Sequence, residues 1–172
     1  MRIAITGPES TGKSELGFNL SKHYGIPLVP EYARKYLAQL QRPYNRSDLT
    51  TIAKGQQSLW KTYDDGRSFI SDTEMLTIKI WSEVKYQKCD GFISKAFRDQ
   101  SFDLYLLCYP DILWQSDELR EHPEKNDRTQ LFSLYRETLE NMGFAYRIIQ
   151  GEGDDRLKSA IEIINREFPI EK

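Results

Sequence analysis

The feature that most constrains this chain is the segment GPESTGKS at residues 7–14. It has the spacing of a phosphate-binding loop, with a glycine, four residues and then Gly-Lys-Ser, and it lies between an apolar segment at 3–5 and an amphipathic helical pattern. The glycines allow a tight turn whose main-chain N–H groups converge, and the N-terminus of the next helix adds its positive dipole. The segment therefore predicts a P-loop that binds the phosphates of a nucleotide.

Separate groups of this loop are expected to contact separate parts of MgATP. Lys13 should reach the β- and γ-phosphates, and the hydroxyl of Ser14 should bind Mg²⁺. Arg156 begins the last helical pattern after a strand, where we expect it either to stack on the adenine or to pair with a neighbouring acid. The residues predicted to bind ATP are Gly7, Pro8, Glu9, Ser10, Thr11, Gly12, Lys13, Ser14, Glu15 and Arg156.

Charge and composition narrow the class of partner. The 172 residues carry a formal net charge of −2, which gives no general attraction to polyanions. We therefore expect a small-molecule nucleoside substrate and no nucleic-acid partner. Apolar runs such as 104–108 are too short to cross a bilayer, so we expect no membrane association and a cytoplasmic location. The spacing of Cys89 and Cys108 matches no metal or redox motif and predicts two free thiols.

The order of apolar and amphipathic segments predicts an α/β fold. Short strands are expected at 3–5, 28–29, 69–71, 104–108 and 146–149. Because helical patterns separate them, we predict a three-layer P-loop nucleoside or nucleotide kinase fold, with a five-stranded parallel sheet and helices on both faces. We expect one domain over residues 1–172, with a polar lid segment at about 111–128. The sequence leaves the oligomeric state open.

Two acidic residues follow predicted strands, and ligands of parallel sheets bind at the carboxyl ends of the strands. Glu31 could accept a proton from an acceptor hydroxyl, or it could lie in the first turn of a helix and pair with Arg34. Asp72 could hold Mg²⁺, contact the substrate or cap the next helix. The two acids could also exchange these roles.

The predicted lid contains two arginines, Arg120 and Arg128. They could bring positive charge to the migrating phosphoryl group, or they could belong to a solvated charged loop. The predicted catalytic residues are Lys13, Glu31, Asp72, Arg120 and Arg128.

Four segments taken together resemble a known family. They are GPESTGKS at 7–14, EYAR at 31–34, IAKGQQ at 52–57 and SDTEMLTIKIW at 71–81. In this order they resemble the nicotinamide riboside kinase domain of bacterial NadR-like proteins, which are AAA-type P-loop kinases. The resemblance implies ATP- and Mg²⁺-dependent phosphorylation of the 5′-hydroxyl of nicotinamide riboside, giving nicotinamide mononucleotide for NAD salvage.

The resemblance also implies roles for residues. Residues 7–14 would bind ATP and metal, Glu31 and Arg34 the ribosyl substrate, and Asp72 the metal or the reacting groups. Full-length NadR proteins carry a nucleotidyltransferase domain with an HxGH-type motif, and some carry a DNA-binding helix-turn-helix. Neither pattern is found in this sequence, so adenylyl transfer and repression are not expected.

Nicotinamide riboside carries a pyridinium charge, which favours an aromatic face with carboxylates nearby. Trp81 or Tyr86 could supply the face, and Glu74 or Glu83 could supply the carboxylate. The predicted substrate-binding residues are Glu31, Arg34, Asp72, Glu74 and Trp81, and the predicted metal ligands are Ser14 and Asp72.

Two other functions fit parts of the same pattern. A deoxynucleoside or nucleotide kinase would share the loop, the strand-end glutamate and the arginine lid, and Gln56 or Gln57 could then read the edge of a base. An ATP-binding regulatory switch would need only the P-loop, with Glu31 and Asp72 serving as helix caps.

Overall fold

The computed structural model of the protein describes residues 1–63, 66–116, 122 and 124–169. The strands are β1 (Arg2–Thr6), β2 (Leu28–Val29), β3 (Phe69–Asp72), β4 (Leu104–Cys108) and β5 (Tyr146–Ile149). The helices in the described ranges are α1 (Lys13–Tyr24), α2 (Tyr32–Ala38), α3 (Arg46–Tyr63), α4 (Met75–Tyr86), α5 (Gly91–Asp99), α6 (Lys125–Asn141) and α7 (Gly153–Glu167). The strands form one sheet in the order β2-β3-β1-β4-β5, and every neighbouring pair is parallel.

Helices cover both faces of the sheet because the side chains of each strand alternate between two apolar surfaces. In β1, Ile3 and Ile5 pack with α1 and α7, whereas Ala4 packs with the layer that contains α3, α4, α5 and α6. In β4, Leu106 belongs to the first layer and Leu107 to the second. The predicted five-stranded parallel sheet with helices on both faces is confirmed.

Strand β1 lies at the centre of the sheet, between β3 and β4. The register places Ile5 opposite Asp72 of β3, and Thr6 opposite Leu107 of β4. On the outer side of β3, Val29 of β2 lies opposite Ser71. The carboxyl ends of β2, β3 and β4 therefore meet beside the loop that follows β1.

Helix α5 lies in a region where the sequence analysis assigned no element. The carboxylate of Asp90 caps it by accepting a hydrogen bond from the N–H of Phe92 at 2.8 Å. Ile93 and Phe97, four residues apart, are buried. Apolar side chains four residues apart are typical of an amphipathic helix, so the sequence did carry a signal for α5.

The predicted lid at 111–128 overlaps a helix at its end. Helix α6 begins at Lys125, so Arg128 lies in its first turn instead of in a loop. Residues 117–121 and 123 lie outside the described residues, and the prediction for Arg120 lies there with them.

Two expectations from composition can be compared with the structure. Cys89 and Cys108 are both free thiols, as predicted. Cys108 ends β4 inside the core, where burial raises the pKa of its thiol to about 11. Among the helices built from the described residues, none has the length and apolarity that crossing a membrane requires.

Candidate active site

The P-loop follows β1 and runs into the first turn of α1. Gly7 (φ 128°) and Gly12 (φ 73°) have positive φ values, which glycine adopts at little cost. Gly7 also approaches β4 so closely that a Cβ atom there would lie 2.7 Å from the carbonyl oxygen of Cys108. Inside the loop, the hydroxyl of Thr11 donates to the carbonyl of Pro8 at 2.8 Å. The backbone therefore has the tight turn that the glycine spacing predicts.

The ammonium of Lys13 lies against this loop. It donates to the carbonyl oxygens of Gly7 at 2.9 Å and Pro8 at 2.6 Å. Burial lowers the pKa of the ammonium, and the nearby carboxylates, Glu31 first and then Asp72, act in the opposite direction. These contacts with neutral carbonyl oxygens can be exchanged for contacts with anionic phosphate oxygens, which bind a desolvated ammonium more strongly.

Asp72 reaches the P-loop through the register of the sheet. It ends β3 opposite Ile5, two residues before Gly7. Asp72 is 6% exposed, and its Oδ1 has no hydrogen-bond partner among the described residues. A buried carboxylate oxygen without a donor is unfavourable unless it has another partner, and a hard cation is a suitable one. The donor set of Asp72 and the nearby hydroxyl of Ser14 fits Mg²⁺.

Glu31 lies where the chain leaves β2 and enters α2. Its Oε2 is 3.7 Å from Nε of Arg34, one turn further along the helix. Gln56 of α3 holds this turn, because its Oε1 accepts from the N–H of Tyr32 at 2.8 Å and its Nε2 donates to the carbonyl of Pro30 at 3.3 Å. Gln56 is buried, so it positions the turn around Glu31, and the suggestion that it reads a base edge is wrong.

A cavity of about 860 Å³ joins these groups, a size that suits small-molecule ligands. The P-loop and the strand ends form part of its wall, and helix α4 forms another part. The predicted site residues that line it are Gly7, Pro8, Glu9, Ser10, Thr11, Gly12, Lys13, Ser14, Glu15, Glu31, Arg34, Asp72 and Trp81. The structure therefore brings together most of the residues that the sequence singled out.

The segment after β4 lies against the outer side of the P-loop. Nε1 of Trp114 and the main-chain N–H of His122 donate to Oε1 of Glu9, at 3.2 Å and 2.7 Å. The N–H of Gln115 donates to the hydroxyl of Ser10 at 3.0 Å. The described part of the predicted lid is thus in contact with the loop that it is expected to cover.

Residues 2–156 match the AAA_28 family, which is described as an AAA domain. This range includes the P-loop and both strand-end carboxylates. The chain belongs to the AAA_28 family.

This AAA_28 domain is similar to several known proteins. It is 26% identical over 170 residues to the trifunctional NAD biosynthesis/regulator protein NadR of Escherichia coli (strain K12), a match that covers 94% of this chain and 41% of NadR. A crystal structure of NadR protein in complex with NR has a TM-score of 0.81 at 19% identity, covering 99% of this chain and 51% of that one. A deoxyadenosine kinase from M. mycoides, solved with products dCMP and dCDP, has a TM-score of 0.68 at 18% identity. This match covers 96% of this chain and 100% of the kinase. The chain spans about half the length of the NadR proteins, and both the resemblance to NadR and the P-loop kinase fold are confirmed.

The structure of this AAA_28 domain corrects the stacking role predicted for Arg156. The residue is 3% exposed, and its guanidinium forms an ion pair with Asp111. It also donates to the carbonyl oxygens of Gly151, of Thr11 at 2.6 Å and of Tyr109 at 3.2 Å. Stacking on adenine is therefore wrong, and the alternative of pairing with an acid is the one observed. Arg156 connects the P-loop to the segments that follow β4 and β5.

A second correction concerns Arg128. It is 4% exposed, it does not line the cavity, and its Nη1 donates to the carbonyl of Ile112 at 3.2 Å. The predicted catalytic contact is wrong because the start of α6 directs this side chain into the protein. Arg128 instead holds the backbone near the start of the predicted lid segment.

A third correction concerns Glu74, which was expected beside the substrate. Its carboxylate is fully buried and accepts hydrogen bonds from the hydroxyl of Thr6 at 2.7 Å, the N–H of Leu76 at 2.6 Å and Nε2 of Gln100 at 2.8 Å. It caps α4 and does not line the cavity. Glu83, the other suggested carboxylate, is exposed and is also absent from the cavity wall.

The cavity wall contains residues that the sequence analysis did not single out. Thr77 and Lys85 of α4 line it together with Trp81, and Tyr135 of α6 lines it as well. Burial raises the pKa of the Tyr135 phenol, while its hydrogen bond with Thr77 acts in the opposite direction. The four-residue spacing of the three α4 positions could have revealed them. Tyr135 could not be told apart from the core positions of its helix.

Proposed function

We propose that this chain transfers the γ-phosphoryl group of MgATP to the 5′-hydroxyl of nicotinamide riboside. The observation that carries the proposal is that the carboxylates of Glu31 and Asp72 share one cavity with Lys13, and that this cavity has an aromatic wall at Trp81. Nucleotide binding alone would require the loop but neither carboxylate. A phosphoryl transferase requires both a metal-binding group and a group that orients the acceptor.

The P-loop holds the triphosphate in this proposal. Lys13 gives up its contacts with the carbonyl oxygens of Gly7 and Pro8 and donates to phosphate oxygens, supplying charge where negative charge develops. Ser14 and Asp72 would hold Mg²⁺, which would neutralise negative charge on the phosphates. The buried Oδ1 of Asp72, which lacks a partner among the described residues, supports this use.

Glu31 orients the acceptor and takes its proton. Its side chain is 21% exposed, so it is shielded from water but accessible from the cavity. Arg34 on one side and the turn held by Gln56 on the other restrict its position. A positioned carboxylate of this kind contributes on the order of 10²–10⁴-fold to the rate.

Two observations support nicotinamide riboside as the acceptor: the aromatic wall of the cavity and the ligand of a related protein. The indole N–H of Trp81 donates to the hydroxyl of Tyr44 at 2.9 Å, which fixes the plane of the indole beside the cavity. A fixed indole offers a face on which a pyridine ring can stack. One solved structure of NadR protein contains NR.

The test is ADP release by the purified protein with MgATP and nicotinamide riboside, thymidine or deoxyadenosine, with each new phosphate ester identified by mass. A kcat/KM for nicotinamide riboside at least about tenfold above the others would support the proposal. Preference for a deoxynucleoside would contradict it in favour of a nucleoside kinase. ATP binding without any phosphorylated acceptor would favour a regulatory switch.

One observation keeps a deoxynucleoside kinase as the second candidate. The carboxylates expected to face a pyridinium ring, Glu74 and Glu83, are absent from the cavity wall, whereas Lys85 lines it. A neutral base requires no such carboxylate.

A further inference from the structure

The backbone is strained directly after Asp72, at the point where β3 ends. Thr73 has a φ of 78°, a value that favours glycine and is unfavourable for a β-branched side chain. In the described part of the chain, the other non-glycine residues with positive φ are Ser10 and Gln87, and neither is β-branched. Strain of this kind persists only where the surrounding structure holds it, and it is concentrated at functional sites. Contacts around Thr73 must therefore maintain its conformation.

Both main-chain groups of Thr73 are held by hydrogen bonds. Its N–H donates to the carbonyl of Ile5 in β1 at 3.2 Å, and its carbonyl accepts from the hydroxyl of Ser71 at 2.7 Å. The Ser71 hydroxyl in turn accepts from Nε1 of Trp60 in α3 at 2.8 Å, and Ser71 is fully buried. These bonds fix the peptide groups on both sides of Thr73, and the first of these groups joins it to Asp72.

The side chain of Thr73 makes no polar contact that would explain a threonine at this position. It is 2% exposed, it does not line the cavity, and its hydroxyl has no hydrogen-bond partner among the described residues. A buried hydroxyl without a partner is unfavourable. What the side chain does provide is a branched Cβ, which limits φ and ψ to a small range. A narrow backbone range at Thr73 restricts where the adjoining Asp72 carboxylate can lie.

The two carboxylates that flank Thr73 have different surroundings. Asp72 lines the cavity beside the P-loop, whereas Glu74 is fully buried and accepts from the hydroxyl of Thr6 at 2.7 Å. In a regular strand, side chains two residues apart point to the same side. The positive φ of Thr73 interrupts this alternation, so that one carboxylate lines the cavity while the other caps α4.

We infer that Thr73 is a positioning residue, whose strained backbone, held by Ser71, fixes the carboxylate of Asp72 for the metal ion of MgATP. The inference rests on the proposed function, in which Asp72 is a ligand of that ion. Thr73 acts through Asp72, since it is not part of the cavity wall. A carboxylate that is fixed before the metal binds loses less conformational freedom on binding, which increases the affinity.

The experiment compares Thr73→Gly with Thr73→Ala, which both lack the hydroxyl and the γ-methyl group, whereas only alanine keeps a Cβ that restricts φ. The Kd of Mn²⁺, which accepts the same oxygen ligands as Mg²⁺, is measured by electron paramagnetic resonance with a non-hydrolysable ATP analogue bound. This Kd should be about tenfold higher in Thr73→Gly than in Thr73→Ala. The melting temperature of Thr73→Gly should be equal or higher, because relief of the strain offsets the loss of a buried methyl group.

The same pair of substitutions at Gln87 is the matched control. Gln87 is exposed, follows the end of α4 with a φ of 51°, and does not line the cavity. Gln87→Gly should also melt at the same temperature as Gln87→Ala or higher, but the Kd of Mn²⁺ should be equal in the two. A further variant, Ser71→Ala, removes the hydroxyl that holds the carbonyl of Thr73, and it should raise the Kd of Mn²⁺ about threefold above wild type.

Asp72→Asn distinguishes failure of this inference from failure of the proposed function. If Asp72→Asn raises the Kd of Mn²⁺ but Thr73→Gly and Thr73→Ala have equal Kd values, the inference is overturned and the metal role of Asp72 stands. The inference is also overturned by an unchanged Kd in Ser71→Ala, or by a weaker Kd in Thr73→Gly that accompanies a lower melting temperature than in Thr73→Ala. An unchanged Kd in Asp72→Asn would overturn both the inference and the metal role proposed for Asp72.

Discussion

The hydroxyl of Thr6, the last residue of β1, donates a 2.7 Å hydrogen bond to the buried carboxylate of Glu74, which caps α4. The P-loop begins at the residue after Thr6, and Thr77 lines the cavity from the first turn of α4. The bond therefore joins the strand that carries the phosphate-binding loop to the helix whose Thr77 and Trp81 line the cavity. Burial raises the pKa of Glu74, against the opposing hydrogen bonds from Leu76 and Gln100.

The buried carboxyl of Glu74 should make stability depend on pH. Its folded pKa is raised, so the folded state keeps the proton longer than the unfolded chain, and stability falls as the pH rises through the folded pKa. Glu74→Gln has the same shape and cannot ionise. We expect the melting temperature of Glu74→Gln relative to wild type to increase by several degrees from about pH 5 to about pH 8.

The control for this measurement is Glu83→Gln, which changes an exposed carboxylate on the same helix that pairs with Lys79. A surface ion pair contributes little to stability, so the change in melting temperature caused by Glu83→Gln should be small and nearly constant over this pH range. A difference in melting temperature between Glu74→Gln and wild type that does not vary with pH would contradict the expectation.

Replacing Glu31 should separate phosphoryl transfer from nucleotide binding. Glu31→Gln keeps the size of the side chain but removes the proton acceptor, so kcat should fall about 10²–10⁴-fold. The Kd for ATP should change little, because the triphosphate is held by the P-loop. Stopped-flow ADP release and nucleotide-displacement titration measure the two quantities. A kcat within about threefold of wild type would contradict the role of Glu31 in proton transfer.

Replacing Asp72 should change the requirement for metal. Oδ1 of Asp72 is buried without a partner among the described residues, which suits a cation. We expect Asp72→Asn to raise the Mg²⁺ concentration at half-maximal rate by about tenfold or more at constant ATP. A large fall in kcat with an unchanged Mg²⁺ requirement would assign proton transfer to Asp72 and the metal to another group.

Loss of the Arg156 side chain should destabilise the whole domain. Its guanidinium is buried and contacts three carbonyl oxygens and the carboxylate of Asp111. Arg156→Ala should lower the free energy of unfolding by about 3–5 kcal/mol, as measured by denaturant titration. In the control, Arg147→Ala, an exposed pair with Glu167 is lost, at a cost of about 1 kcal/mol or less. Equal effects of the two substitutions would contradict this account.

Gly55 of α3 has a packing role that composition does not show. A Cβ atom there would lie 2.1 Å from Cε1 of Tyr32, the residue that follows Glu31. Gly55→Ala should destabilise the protein by about 1–3 kcal/mol and raise the acceptor KM, because Tyr32 must move. In Gly91→Ala, the control, the new methyl meets nothing within 4 Å, and the substitution should be neutral or slightly stabilising. An unchanged acceptor KM in Gly55→Ala would show that the packing of Gly55 against Tyr32 does not affect acceptor binding.

Local sequence by itself determined the P-loop, the parallel sheet and the two strand-end carboxylates. The P-loop needs only a glycine spacing between a strand and a helix, and hydrophobic periodicity is visible within one element. Glu31 and Asp72 were found because parallel strands end at the same edge of a sheet, whatever their order.

Only the tertiary structure decided which polar side chains face the cavity and which are buried behind it. Glu74, Arg128 and Arg156 have the residue types of a kinase site, but each is buried and hydrogen-bonded inside the protein. Lys85 lines the cavity in contact with Tyr44, which is 41 residues away in the chain. A local pattern does not specify such contacts, because burial and pairing depend on how separate helices and strands pack.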